Sequence, residues 1–86
     1  MLEHIGERVS VNVVYDHTSG HTTPRLIKWK NQLYRLQKVG LHYTLYRGTT
    51  LTHMFSVSDA SRCFLLSFDT KTLVWRLEEI ADGMSN

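Results

Sequence analysis

The sequence predicts an all-β chain, a six-stranded antiparallel meander curling into a small half-open barrel. Three observations predict it. Apolar and polar residues alternate with period two along most of the chain. No window of roughly eleven residues shows a helical apolar stripe before the acidic tail. The only proline, Pro24, falls in a polar connection and leaves the strand-like runs unbroken.

The first strand runs from Val9 to Tyr15, with Val9, Val11, Val13 and Tyr15 on one face. β-branched residues at this density favour extended backbone. Asp16 to Pro24 is polar and contains Gly20, so it reads as a loop. The second strand, Arg25 to Trp29, sets Ile27 and Trp29 on one face. Asn31-Gln32 then serves as a two-residue turn, because Asn tolerates positive φ. This pairs Trp29 with Tyr34 and Ile27 with Leu36. The apolar parity next switches from even (Tyr34, Leu36) to odd (Val39, Leu41, Tyr43, Leu45). One extra residue near Gln37-Lys38 restores a common face, so a β-bulge is expected there, with Gly40 easing the bend.

Matching apolar faces sets the later turns, since a one-residue slip inverts every side chain. A loop centred on Gly48 aligns Leu45 with Leu51 and Tyr43 with His53. A turn over Asp59 to Arg62 aligns Val57 with Phe64 and Phe55 with Leu66. A turn over Asp69 to Thr72 aligns Phe68 with Leu73, Leu66 with Trp75 and Phe64 with Leu77. Asp at the head of both suits a type I turn. The tail from Glu78 to Asn86 suggests a short helical turn around Ile80. The whole chain, 1–86, reads as one domain, with 1–7 and 81–86 expected to be flexible or ordered by a partner. The expected core is Val11, Val13, Ile27, Trp29, Tyr34, Leu36, Leu41, Tyr43, Phe55, Phe64, Leu66, Phe68, Trp75 and Leu77.

The opposite face carries Val14, Leu26, Leu33, Met54, Leu65 and Val74 among Thr, Ser and Arg. Such a face needs cover, from the termini (Leu2, Ile5, Ile80) or from a second chain, so a homodimer is one reading.

Composition narrows the function classes. Hydrophobic residues at 42% and charged residues at 21% describe a globular protein and argue against disorder. Cys63 is the only cysteine, so no internal disulfide forms. Together with an opening Met1-Leu2-Glu3-His4 that lacks a basic start and an apolar run, this makes a cytoplasmic chain the expectation. Cys63-Phe64-Leu65-Leu66 is the longest apolar run, too short for a membrane helix. A net charge of +2 permits an acidic partner without requiring one.

Three groups of residues are candidate sites. Arg25, Lys28, Lys30, Arg35 and Lys38 cluster around Trp29 and Tyr34, the pairing of cations with rings used by single-strand nucleic-acid binders. In the expected register both rings point inward, so the alternative is a solvated face whose lysines protect a sheet edge. Tyr43 and His53, paired across a hairpin on the apolar face, could line a small-ligand pocket, or form a core histidine satisfied by the Tyr hydroxyl. His17 and His21 beside Asp16 are metal-ligand types, with His4 and Cys63 as remote fourth partners, but the spacing is looser than zinc sites use. No metal or other cofactor is implied. Cys63 has no base placed to activate it, and there is no phosphate loop, nucleophile elbow or carboxylate pair, so no enzyme is expected.

The run Ile27-Lys28-Trp29-Lys30-Asn31-Gln32-Leu33-Tyr34-Arg35-Leu36, with the later Trp75-Arg76-Leu77, resembles short uncharacterised bacterial β domains that carry a Trp, a tight turn, a Tyr and a closing Trp-x-Leu strand. The resemblance implies the fold and transfers no site residues. The expected function is a non-enzymatic binding or protein-interaction module, its partner itself or an unidentified protein. A nucleic-acid-binding accessory domain using the 25–38 hairpin is the alternative, and a small-ligand or metal-binding barrel the third.

Overall fold

The computed structural model describes residues 1–82. Among them are eight strands and no helix: β1 (Leu2–Arg8), β2 (Ser10–Asp16), β3 (His21–Trp29), β4 (Gln32–Arg35), β5 (Lys38–Arg47), β6 (Thr50–Ser58), β7 (Arg62–Asp69) and β8 (Trp75–Asp82). All pairings are antiparallel. They form a five-stranded sheet, β1-β8-β7-β6-β5, and a three-stranded sheet, β2-β3-β4. The all-β antiparallel class is as expected. The strand count is eight instead of six, and two sheets without barrel closure replace a single curling meander.

Two short crossings carry the chain between the sheets. At Val9, the amide donates to Trp75 O at 3.0 Å as the chain leaves β1 for β2. At Leu36-Gln37, the Leu36 amide donates to Arg25 O (2.9 Å), and the next amide donates to Ser58 O (2.8 Å). The parity switch placed at Gln37-Lys38 therefore marks a change of sheet. The bulge itself lies at Gly40, between the pairs Val39–Val57 and Leu41–Ser56. A Cβ on Gly40 would sit 3.6 Å from Ser56 O, an ordinary contact.

Turn chemistry sets the registers. Lys30 (φ 51°) and Asn31 (φ 62°) form the two-residue turn between β3 and β4, one position earlier than expected. Positive φ at both central positions is the type I′ geometry that matches strand twist. Ile27 consequently pairs with Tyr34, and Trp29 with Gln32. Gly48 (φ 63°) takes the first central position of the β5–β6 turn, so Arg47 opposes Thr50. Asp59 Oδ1 accepts the amides of Ser61 (2.9 Å) and Arg62 (2.7 Å), and Val57–Phe64 and Phe55–Leu66 pair as expected. Asp69 Oδ1 likewise accepts the Lys71 and Thr72 amides, but the loop runs on to Val74, so Phe68 pairs with Trp75 and Leu66 with Leu77.

Several expectations are corrected. Residues 21–24 extend β3, and Pro24, fully buried, sits beside a bulge at Arg25 where it interrupts the ladder least. Glu78 to Asp82 continue β8 in place of a helical turn; residues 83–86 lie outside the described residues. Leu2 to Arg8 pair with β8 as an edge strand, with Ile5 and Gly6 (φ 68°) together opposing Glu78.

The core lies between the sheets. Ile27, Tyr34 and Leu36 of the small sheet pack against Phe55, Val57, Phe64, Leu66, Leu77 and Ile80 of the large one. The Tyr34 and Phe64 rings meet edge to face at 5.5 Å, a geometry that suits the ring quadrupoles. Ile5 and Ile80 turn into this core and so give no cover to the outer face. There, Arg47 of β5 and Glu78 of β8 reach across the intervening strands to pair at 3.2 Å. Ser67 Oγ donates to the same carboxylate oxygen, and Thr52, Met54 and Ser67 are buried without a second chain.

Candidate functional site

The site is the aromatic end of the inter-sheet space. The β5–β6 register, fixed by Gly48 and shifted by Gly40, turns the even residues of β5 inward beyond the bulge. His42 therefore opposes Phe55, and Thr44 opposes His53. Two neighbouring rows of side chains result. One runs Thr44–His53–Phe68–Trp75, the other His42–Phe55–Leu66–Leu77. The His42 ring stacks on Phe55 at 4.2 Å and 9°, Phe55 meets Trp75 at 5.4 Å, and Trp75 meets Phe68 at 4.8 Å.

His42 Nε2 and His53 Nδ1 are 2.8 Å apart, a hydrogen bond between imidazoles on diagonal positions of the hairpin. One nitrogen must carry the proton and the other accept it, and the free ring nitrogens remain for a third partner. Desolvation holds His42 below the ordinary imidazole value of 6.5, followed by the repulsion of His53 and then of His21.

The small sheet supplies the opposite wall. β4 ends at Arg35, so the far end of the β2–β3 hairpin extends beyond it, bent by the bulge at Arg25. A hollow of about 310 Å³ lies between Val13 and Thr22 on this hairpin and His42, His53, Phe55, Phe68 and Trp75 on the large sheet. A second hollow of about 620 Å³, lined by Gly20, His21, Thr22, Thr23, Val39, His42 and His53, shares Thr22 and the histidine pair with it. The smaller hollow, with its apolar lining and few polar groups, has the usual form of a small-ligand site, whereas the larger is lined mostly by His and Thr.

The sequence-derived site residues separate. His53 lines the cavity, but its partner is His42. Tyr43 opposes Met54 on the outer face and is 39% exposed, as Leu41 is exposed beside it; both leave the expected core. Val13 lines the cavity without being buried. His21 joins the second hollow and also lines, with Asp16 and His17, an adjoining surface depression. No group of three or more His, Cys, Asp or Glu among the described residues could hold a metal ion.

The basic residues also divide. Lys28 and Arg35 lie with Leu26 and Leu33 on the outer face of the small sheet, and Arg25 is exposed at the bulge beside them. Lys30 lies over Trp29 at 4.8 Å, and Lys38 pairs with Ser58 in the other sheet. Trp29 is half-buried, donates through Nε1 to Glu7 and lies beneath Lys30, and Tyr34 is buried, so neither ring shares the outer face with Arg25, Lys28 and Arg35.

His42 is the residue of the candidate site that the sequence reading misses. A signal for it exists: placing Gly48 first in a two-residue turn opposes Arg47 to Thr50 and makes His42 face Phe55. Comparison with protein-family models, curated proteins and solved structures finds no match to this chain.

Proposed function

We propose that this chain is a non-enzymatic binding module for a small, planar, largely apolar molecule carrying one hydrogen-bonding group. The observation that supports this reading is the 310 Å³ cavity floored by Phe55, Phe68 and Trp75 and rimmed by the hydrogen-bonded His42 and His53. Aromatic walls bind a flat ring by offset or edge contact, and the imidazole pair orients it through donor and acceptor sites. An enzymatic role has less support, because among the described residues the cavity lining carries no carboxylate or cysteine beside the imidazoles, and its one hydroxyl is that of Thr22.

The reading is tested with naphthol, a neutral fused ring bearing one hydroxyl, titrated into isotope-labelled protein. Amide shifts concentrated at Val13, Thr22, His53, Phe68 and Trp75 are the expected result. Absence of shifts, or shifts scattered over the surface, would refute it.

A second reading, nucleic-acid contact, rests on Arg25, Lys28 and Arg35 grouped at the outer face of the small sheet. With Tyr34 buried and the Trp29 ring covered by Lys30, such contact would be to phosphates, weak and strongly salt-dependent. Anisotropy of a labelled single-stranded oligonucleotide at low and high salt tests it; no binding at low salt eliminates it.

A further inference from the structure

We propose that the ligand of this cleft is an aromatic carboxylate, bound with uptake of one proton by the His42–His53 pair. The inference rests on the cleft being a ligand site, and it assigns the chemical class of the ligand.

Three imidazoles from three strands gather at the two joined hollows: His21 on β3, His42 on β5 and His53 on β6. Among the described residues, no Asp, Glu, Lys or Arg lines either hollow. Phe68 and Trp75, contributed by β7 and β8, are uncharged. On β2, Asp16 lies opposite His21, and its carboxylate accepts the Thr18 amide at 2.9 Å within its own loop. Around His42 and His53 the cleft thus holds bases that become cations on protonation and no lining acid, the one carboxylate nearby being Asp16, the cross-strand neighbour of His21.

In the neutral pair, a single N–H bridges His42 and His53. Adding one proton keeps that 2.8 Å hydrogen bond and leaves a singly charged imidazolium–imidazole unit, whose outer N–H groups are donors. An anion at the rim would offset the desolvation and the repulsion that now disfavour this charge. Thr22 adds a hydroxyl donor at the same rim. The floor is Phe55, Phe68 and Trp75, so the body of the ligand must be apolar and flat while its charged group stays at the histidine end. Inorganic anions satisfy only half of this arrangement, and a neutral ring satisfies the other half.

Proton uptake by one group makes affinity pH-dependent, up to about tenfold per pH unit where the pair is neutral in the free protein. The experiment compares naphthoate, ionised throughout, with naphthol, neutral throughout, from about pH 5.5 to about pH 8. Amide shifts of the labelled protein give both dissociation constants. Naphthoate is expected to bind more tightly as pH falls, naphthol to stay level, and the slope for naphthoate to disappear in His42→Gln or His53→Gln. Dispersed spectra of these variants show whether each is folded, and either one suffices. If naphthol occupies the cleft while naphthoate binds without pH dependence or not at all, the carboxylate assignment is overturned and the cleft remains a ligand site. A slope that persists in both variants overturns the role of the pair. If neither compound shifts the cleft residues, the binding site itself is refuted.

Discussion

His42 Nε2 lies 2.8 Å from His53 Nδ1, and the His42 ring is stacked on Phe55 at a 9° angle. Burial and this contact together disfavour protonation of His42. Partial burial, then His53 and His21, depress the folded-state value of His42 below 6.5, so the unfolded chain takes up a proton first as pH falls. Stability is therefore whole above about pH 6.5 and is lost as pH drops through the depressed folded value. Thermal midpoints measured from neutral to mildly acidic pH should decline over this window, and His42→Phe should flatten the decline while keeping the stack on Phe55. An unchanged decline in that variant would show that other groups are responsible.

The row joining Phe55, Leu66 and Leu77 crosses three strands, and none of these side chains is more than 2% exposed. Leu66→Ala should cost about 2–5 kcal/mol, because the neighbours can close only part of the space left behind. That is a large share of the stability of a domain this small. Leu66→Val, with a cost of roughly 1 kcal/mol, keeps the test measurable by urea unfolding if the alanine variant does not fold.

Leu73 has φ +62° and is 67% exposed at the tip of the β7–β8 loop. A side chain there pays for a left-handed backbone conformation and gains little packing. Leu73→Gly should therefore leave stability unchanged or raise it by up to about 1 kcal/mol, the relief of strain being partly offset by greater freedom of the unfolded chain. A loss greater than about 1 kcal/mol in denaturant titration would show that the leucine packs usefully.

Asp59 Oδ1 holds two amides of the β6–β7 turn. Asp59→Ala should cost about 1–2 kcal/mol, and Asp59→Asn less, because its amide oxygen still accepts. In the next loop the Thr72 and Lys71 amides hold the Asp69 carboxyl below its ordinary value of 3.8. That contribution is present above pH 3.8 and fades as pH falls through the depressed value, so Asp69→Asn should flatten the most acidic part of the unfolding curve.

Parity and turn residues made much of this architecture legible. Alternation identified the segments that became β2 and β5–β7, and Asp59 gave the β6–β7 register without error. Face assignment survived even where register did not: Ile27 and Tyr34 are buried although their partners differ by two positions from expectation, since a slip of two preserves the face. A slip of one in the β5–β6 hairpin did the reverse, sending Tyr43 outward and His42 inward.

The sequence by itself determined which segments are extended and which residues turn the chain, because these depend on local φ preferences and on period-two patterning. Only the tertiary structure decided that the strands split between two sheets at Val9 and at Leu36-Gln37. A switch of parity looks the same in sequence whether a strand bulges or changes sheet; what distinguishes them is which backbone groups lie across the gap to accept the hydrogen bonds. That division opens the cleft and sets His42 against His53, on strands whose relative register a single glycine position controls.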